Sequence, residues 1–370
     1  MDTGGVMGEV SEPLRSPAGL DLLDEAARLA EANSLSERTR SLYAADWQRF
    51  SRWCATAGRS ALPADEHTIR FYATSMAMTL DSHRKRGYKV STIARHLASI
   101  GHVHVSEGYP SPVRHPSVEA LMRGLRRQQG ARPQQMRPLL LDDIRSIVSA
   151  IDCSTWPAGL AGIRDTFILL GGFASAMRRS EMAAMRQMDI RHEPTTGLLV
   201  HIPWSKGDQE GRGARIVMPY GQSPQTCPVC AYVRWQQAVE AAATSRAAVM
   251  RVVLSTPEWD HRVHICGMAH QMTSPEAPVL RIIRRGGHLD SGLTGDALHR
   301  VVQRRSTHVG ITGDIGFHSL RAGFVTQARR NGADARAVRR QTRHSSDALI
   351  DLYDREHSPL VGNAVADLGL

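Results

Sequence analysis

The sequence predicts a mainly α protein with a small β-sheet, an α+β chain in two domains. Three observations carry this expectation. Apolar residues recur at helical spacing through most of residues 34–130. A Pro/Gln/Arg stretch, GARPQQMRP, then interrupts the pattern as a linker would. Beyond it, helical segments flank two strand-like runs, GLLVHIPWS and RGARIVMPY, set around a polar turn. At 370 residues, 42% hydrophobic and 22% charged, the chain is long enough to bury two cores. The expected boundaries are a flexible N-terminal segment at 1–25, a helical domain at 26–130, a linker at 131–137 and a mixed domain at 138–370.

The elements follow in order. SLSERTRSLYAADWQRFSRWC opens with Ser34 three residues before Glu37, a capping-box pattern, and Tyr43, Trp47, Phe50 and Cys54 then fall on one helix face. DEHTIRFYATSMAMTL, STIARHLASIGHVHVSEG and SVEALMRGLRRQQG continue as helices separated by Pro and Gly turns. In the second domain LDDIRSIVSAI and GIRDTFILLGGFASAM read as helices, the two strand-like runs follow, and helices are expected from there to the end. No internal repeat is present.

Several classes of protein are excluded. The start, MDTGGVMGEVSEP, lacks the basic and apolar regions of a signal peptide, and TFILLGGFASAM is about half a membrane span, so a soluble cytoplasmic protein is expected. Five scattered cysteines suit a reducing compartment better than a disulfide framework. CPVC at 227–230 has no second ligand pair at a familiar spacing and reads as a turn entering a helix, with no metal and no cofactor expected. Residues 1–50 net −4, residues 51–135 net +8 and the remainder +6, so the positive charge spans both domains, as it would if both touched a polyphosphate.

The reactive residues of the second half share one use. Arg178 and Glu181 lie three apart at a helix start in ASAMRRSEMAAMRQMDI, and Arg178 is preferred to the adjacent Arg179 because of that spacing. Lys206 stands at the tip between the strands; His318 and Arg321 lie one helical turn apart; His344 precedes Tyr353 by nine residues. Two guanidiniums can grip the non-bridging oxygens of a phosphodiester and stabilise a pentacoordinate transition state without a metal. Histidines donate hydrogen bonds or move protons, a lysine can protonate a departing 5′ oxygen, and a deprotonated tyrosine can attack phosphorus. Taken singly, each residue has an ordinary structural explanation. Their joint occurrence in this order does not.

Arg178 with Glu181 in AMRRSEM, Lys206, HSLR at 318–321, His344 and Tyr353 resemble the signature of the tyrosine recombinase, or phage integrase, family. RTRSLYAADWQRFSRWC is similar to the helical, SAM-like core-binding domain of its Cre-like two-domain members. The resemblance implies a site-specific DNA recombinase whose two domains clamp duplex DNA at inverted-repeat sites. It implies a homotetramer on two sites, exchanging strands through a 3′-phosphotyrosine and a Holliday junction. It implies that Arg178 and Arg321 bind the scissile phosphate, Lys206 is the general acid, His318 and His344 assist, Glu181 orients the first arginine and Tyr353 is the nucleophile. The segment 359–370, with an apolar stripe of Leu360, Val361, Ala364, Val365 and Leu368, would dock into a neighbouring protomer.

The sequence departs from its relatives in three places. His344 stands where Cre-like members usually have tryptophan, and Arg343 where most relatives have glycine. About 35 residues around 241–276 exceed the family core and have no assigned role. An additional amino-terminal domain of arm-site-binding integrases is not expected, and accessory proteins are not specified. Arg123 with Arg127, and Arg336, Arg340 and Arg343, share helix faces and are expected at phosphates; Arg95 and His96 are further candidates for DNA contact. Two rival functions remain, a type IB topoisomerase-like relaxing activity and a catalytically silent DNA-binding regulator.

Overall fold

The computed structural model describes residues 21–23, 25, 35–79, 87–130, 136–203, 213–255, 263–268, 272 and 274–343. The chain divides into two compact units, Met1–Pro133 and Gln134–Leu370. Most of the secondary structure is helical, with small antiparallel sheets in the second unit. No helix among the described residues is long and apolar enough to cross a membrane.

Among the described residues the core of the first unit is built by the helices α1 (Glu37–Ala57), α2 (Glu66–Met78), α3 (Val90–Ser106) and α4 (Pro116–Gln129). Helix α1 is capped by Ser36, whose Oγ accepts from the Thr39 N–H at 3.2 Å. The sequence pattern put the capping serine at Ser34, which lies outside the described residues. Phe50 and Cys54 are buried, with Trp47 packed beside them, because spacings of three and four return side chains to one face. They meet Ile69, Tyr72, Ile93, Leu97, Ile100 and Met122 from the other helices in one core.

The second unit is assembled around α6 (Ala158–Ser175), which is buried on nearly every side. Its almost uniformly apolar sequence fits that central place, since a helix enclosed by partners needs no polar face. Around it lie α5 (Leu141–Ser149), α7 (Arg179–Ala184), α8 (Pro228–Thr244), α9 (Arg246–Leu254), α10 (Gly295–His308), α11 (Phe317–Arg330) and α12 (Ala335–Thr342). The strands β1 (Ile190–Glu193), β2 (Gly197–Ile202) and β3 (Ala214–Met218) form an antiparallel meander in that order, with Val200 opposite both Ile190 and Ile216. A separate hairpin pairs β4 (Arg281–Ile283) with β5 (Leu289–Gly292). The sequence pattern missed β1, β4 and β5: four residues or fewer are too short for alternation to register. Instead of helices alone, the chain inserts the β4–β5 hairpin before its last three described helices.

A charged cluster lies at the edge of this core. Asp165, on α6, is fully buried and takes Arg164 at 2.8 Å, Arg304 at 2.9 Å and Arg305 at 2.8 Å. A lone carboxylate at such depth is costly, so its three partners are what make its burial tolerable.

Candidate active site

The site is built where α6 ends and α7 begins. Ala176 adopts a left-handed conformation, φ 48 and ψ 32, which stops α6 and turns its carbonyl aside. That carbonyl accepts from Arg321 Nη1 at 2.7 Å. Two residues on, Arg178 caps α7 in extended backbone. Its N–H donates to Glu181 Oε2 at 2.8 Å and its Nη1 donates to Oε1 at 2.9 Å, so one carboxylate fixes both the helix start and the guanidinium. The Glu181 side chain is 2% exposed and that of Arg178 26%, which leaves the guanidinium open to a ligand. Arg179 points elsewhere, to Asp296 on α10 at 3.0 Å.

The opposing half comes from the first turn of α11. Gly316 precedes it; a Cβ there would fall 2.1 Å from the His299 ring, so only glycine lets α11 start this close to α10. His318 and Arg321 follow one turn apart, the arginine 1% exposed and the histidine open to solvent. Desolvation by its surroundings and then the charges of Arg321 and Arg178 hold the His318 pKa below its usual value; since the ring surface is exposed, the two guanidiniums are the firmer cause. The imidazole is therefore neutral near pH 7 and lies within the field of both arginines.

Glu181 also takes Arg343, whose Nη2 donates to Oε2 at 2.6 Å. Burial raises the Glu181 pKa, but the Arg343 charge and the Arg178 hydrogen bonds outweigh it, and the carboxyl titrates below its ordinary range. Gln341 ties α12 down: its Nε2 donates to Ala174 O at 2.9 Å and to Val217 O at 3.0 Å. A carboxylate already engaged by two arginines leaves net positive charge at a surface beside the positive end of α11. Such an arrangement can grip a tetrahedral anion and stabilise added charge on it. A cavity of about 470 Å³ elsewhere in this unit, walled by Ile190, His192, Tyr220 and Met268 among others, contains none of these arginines. At the charged site Arg321 and Glu181 are buried, while Arg178 and His318 reach solvent.

The structure thus brings together Arg178, Glu181, His318 and Arg321. Lys206, His344 and Tyr353 lie outside the described residues, as does the segment 359–370.

Three expectations are corrected. His96 is fully buried, its Nδ1 3.0 Å from the Tyr72 hydroxyl and its Nε2 3.1 Å from Asp46 Oδ1 without hydrogen-bond angles; it faces the core with Ile93 and Ile100 and cannot touch DNA. Arg95, with its side chain 35% exposed, pairs with the same Asp46 and is not among these corrections. Arg343 faces Glu181 with its side chain 11% exposed and is not a surface phosphate contact. Arg127, Arg336 and Arg340 are exposed, and Arg123 is exposed with a loose 3.9 Å pair to Glu119. The third correction is that CPVC is not an isolated pair: His264 and Cys266 lie beside Cys227 and Cys230. Sequence reasoning also missed the carbonyl of Ala176, for which no sequence signal exists.

No family model matches the chain. In sequence it is 27% identical over 339 residues to the integrase/recombinase XerD homolog of Selenomonas ruminantium, across 90% of this chain and 85% of the relative. In structure it resembles the XerH site-specific recombinase bound to palindromic difH substrate in a post-cleavage complex, with TM-score 0.53, 14% identity, 96% of this chain and 85% of that one. It also resembles the Tn1549 transposon integrase in complex with transposon right end DNA, with TM-score 0.52, 12% identity, 92% of this chain and 96% of that one. At these identities the two structures speak for the fold alone, and that fold is the integrase-type recombinase fold. The likeness in sequence is to a protein named as an integrase/recombinase, and the likeness in structure is one of fold.

Proposed function

We propose that this protein is a site-specific DNA recombinase that cuts and rejoins strands through a covalent 3′-phosphotyrosine. The observation that carries the reading is the convergence of Arg178, held by Glu181, with His318 and Arg321, held by Ala176. In this reading Arg178 and Arg321 grip the scissile phosphate, neutral His318 adds a hydrogen bond, and His344 assists. The Tyr353 oxygen bonds to phosphorus while the bond to the 5′ oxygen breaks. The tyrosine proton is lost, the leaving oxygen gains one from Lys206, and the bond energy is kept for rejoining. Exposed Arg123, Arg127, Arg336 and Arg340 suit phosphate contacts, which position without specifying sequence. The partner is double-stranded DNA with inverted-repeat sites. The working form is a homotetramer on two sites that passes through a Holliday junction, with 359–370 docking between protomers.

The test is a nicked trapping substrate offered to the wild type and to Tyr353→Phe, beside a two-site exchange assay. The expected result is a covalent adduct with the wild type only, DNA binding by both, and exchange between sites. An adduct with Tyr353→Phe overturns the nucleophile, relaxation without exchange favours a topoisomerase, and binding without an adduct favours a regulator. For Lys206→Ala, cleavage should slow by on the order of 10² to 10⁴ and recover on a 5′-bridging sulfur substrate, whose thiolate leaves without a proton.

A further inference from the structure

Four soft donors meet at the start of α8. Cys227 Sγ, Cys230 Sγ, a ring nitrogen of His264 and Cys266 Sγ all lie within 4.8 Å of one another, and Cys230 Sγ is 3.4 Å from His264 Nδ1. A tetrahedral ion with metal–sulfur bonds of about 2.3 Å needs its donors about 3.5–3.8 Å apart, so the four atoms need only close slightly around a centre. From these residues we propose a structural zinc site with a Cys3His ligand set, joining the segment around 264–266 to the N-terminus of α8.

The surroundings are those of a thiolate site. Cys227 is the N-cap of α8, with Pro228 at the first helical position, so its sulfur lies at the positive end of the helix. Its Sγ accepts from the Cys230 N–H at 3.4 Å and from the Gly221 N–H at 3.2 Å, and the Ile265 backbone N–H donates to Cys230. Gly221 is needed for this wrap, since a Cβ would fall 2.6 Å from Cys227 Cα. Backbone donors aimed at sulfur stabilise the deprotonated form that a metal requires.

The segment itself has little other reason to stay. Val263 and Met268 are 59% and 50% exposed, and Ile265 and Cys266 only partly covered. A metal would supply the attachment that apolar burial does not, and would hold the Gly267–Met268 wall of the 470 Å³ cavity. A disulfide between any two of the sulfurs would leave the third thiol and the imidazole unexplained. Zinc suits three thiolates and one imidazole, and a closed set of four protein ligands marks a structural ion.

The proposal is independent of the recombinase reading, and its test needs no DNA. The full chain, purified without chelator, is analysed for metal by mass spectrometry, then stripped and refilled with cobalt(II). The expected result is about one zinc per chain, the visible bands of tetrahedral cobalt with thiolate charge transfer, and three thiols protected from alkylation until the metal is removed. His264→Ala and Cys266→Ser should lose the metal to brief dialysis against EDTA, while Cys153→Ser keeps it. Well under half an equivalent of zinc, octahedral cobalt, or a Cys227–Cys230 disulfide in protein kept under reducing conditions would overturn the site. Retention of metal by both ligand variants would do so as well. If the variants are insoluble, the cobalt spectrum and alkylation pattern of the native chain decide the matter alone.

Discussion

Glu181 and Arg343 are joined across 162 residues of sequence, Nη2 to Oε2 at 2.6 Å, while Arg343 itself sits in left-handed backbone with φ 57 and ψ 42. Arg343 ends α12, its N–H donating to Arg339 O at 2.7 Å. A Cβ in this conformation costs about 1 kcal/mol, so glycine would sit here without strain. This chain accepts that strain and gains a buried charge pair.

Two variants separate the terms. Arg343→Ala should destabilise the fold by roughly 3 kcal/mol, as expected when one partner of a buried pair is removed. Arg343→Gly should recover about 1 kcal/mol of that, because only the backbone strain is relieved. Urea unfolding of both measures the difference, and equal losses would show that the left-handed turn is not retained.

Glu181 predicts an acid-sensitive fold. Its folded pKa is depressed, so its stabilisation is fully present above the unfolded carboxylate value of about 4.3 and is lost as pH falls from there through the folded value. Unfolding free energy should therefore drop more steeply below pH 4 in the wild type than in Glu181→Gln. The variant should already be weaker at pH 7, with two guanidiniums left facing each other. Parallel pH dependences would remove Glu181 from this role.

His318 should titrate below 6.5 in the free protein, because its surroundings and then Arg321 and Arg178 oppose its protonation. Neutral imidazole is thus the form present from pH 7 downward to that lowered midpoint, and the stability linked to it is fully present above the unfolded value of about 6.5 and is lost as pH falls from there through the folded midpoint. In Arg178→Ala the midpoint should rise toward 6.5. Proton NMR of the ring reads both values, and an unchanged midpoint would show that the arginine is too distant to matter.

Asp165 should be among the most sensitive core positions. Asp165→Asn removes the one negative charge among Arg164, Arg304 and Arg305, leaving two largely buried guanidiniums uncompensated. A loss of about 3–5 kcal/mol is expected, and thermal unfolding checks it. A loss under about 1 kcal/mol would mean that water already screens the cluster.

Much of this was legible in the sequence, and the failures have physical reasons. Phe50 and Cys54 could be placed because helical period is a local property, and the spacing of Arg178 to Glu181 and of His318 to Arg321 is equally local. His96 misled because its helix turns toward the core at that position, a fact set by Tyr72 and Asp46 from elsewhere in the unit. Arg343 misled because its neighbours in sequence are surface arginines, whereas its partner lies on α7. The ligand cluster was invisible because 34 residues separate Cys230 from His264, and only the fold brings them together.

The two hydrogen bonds of Gln341 have a wider consequence. One amide holds the backbone leading into Arg178, through Ala174, and the strand that follows the Lys206 stretch, through Val217, while itself standing three residues before His344. It is a shared anchor: the end of α6, the last strand of the meander and the closing turn of α12 are pinned through a single side chain. Loosening it would leave the helix, the strand and the helix end each intact and free them to move apart, a loss of mutual alignment with no element missing.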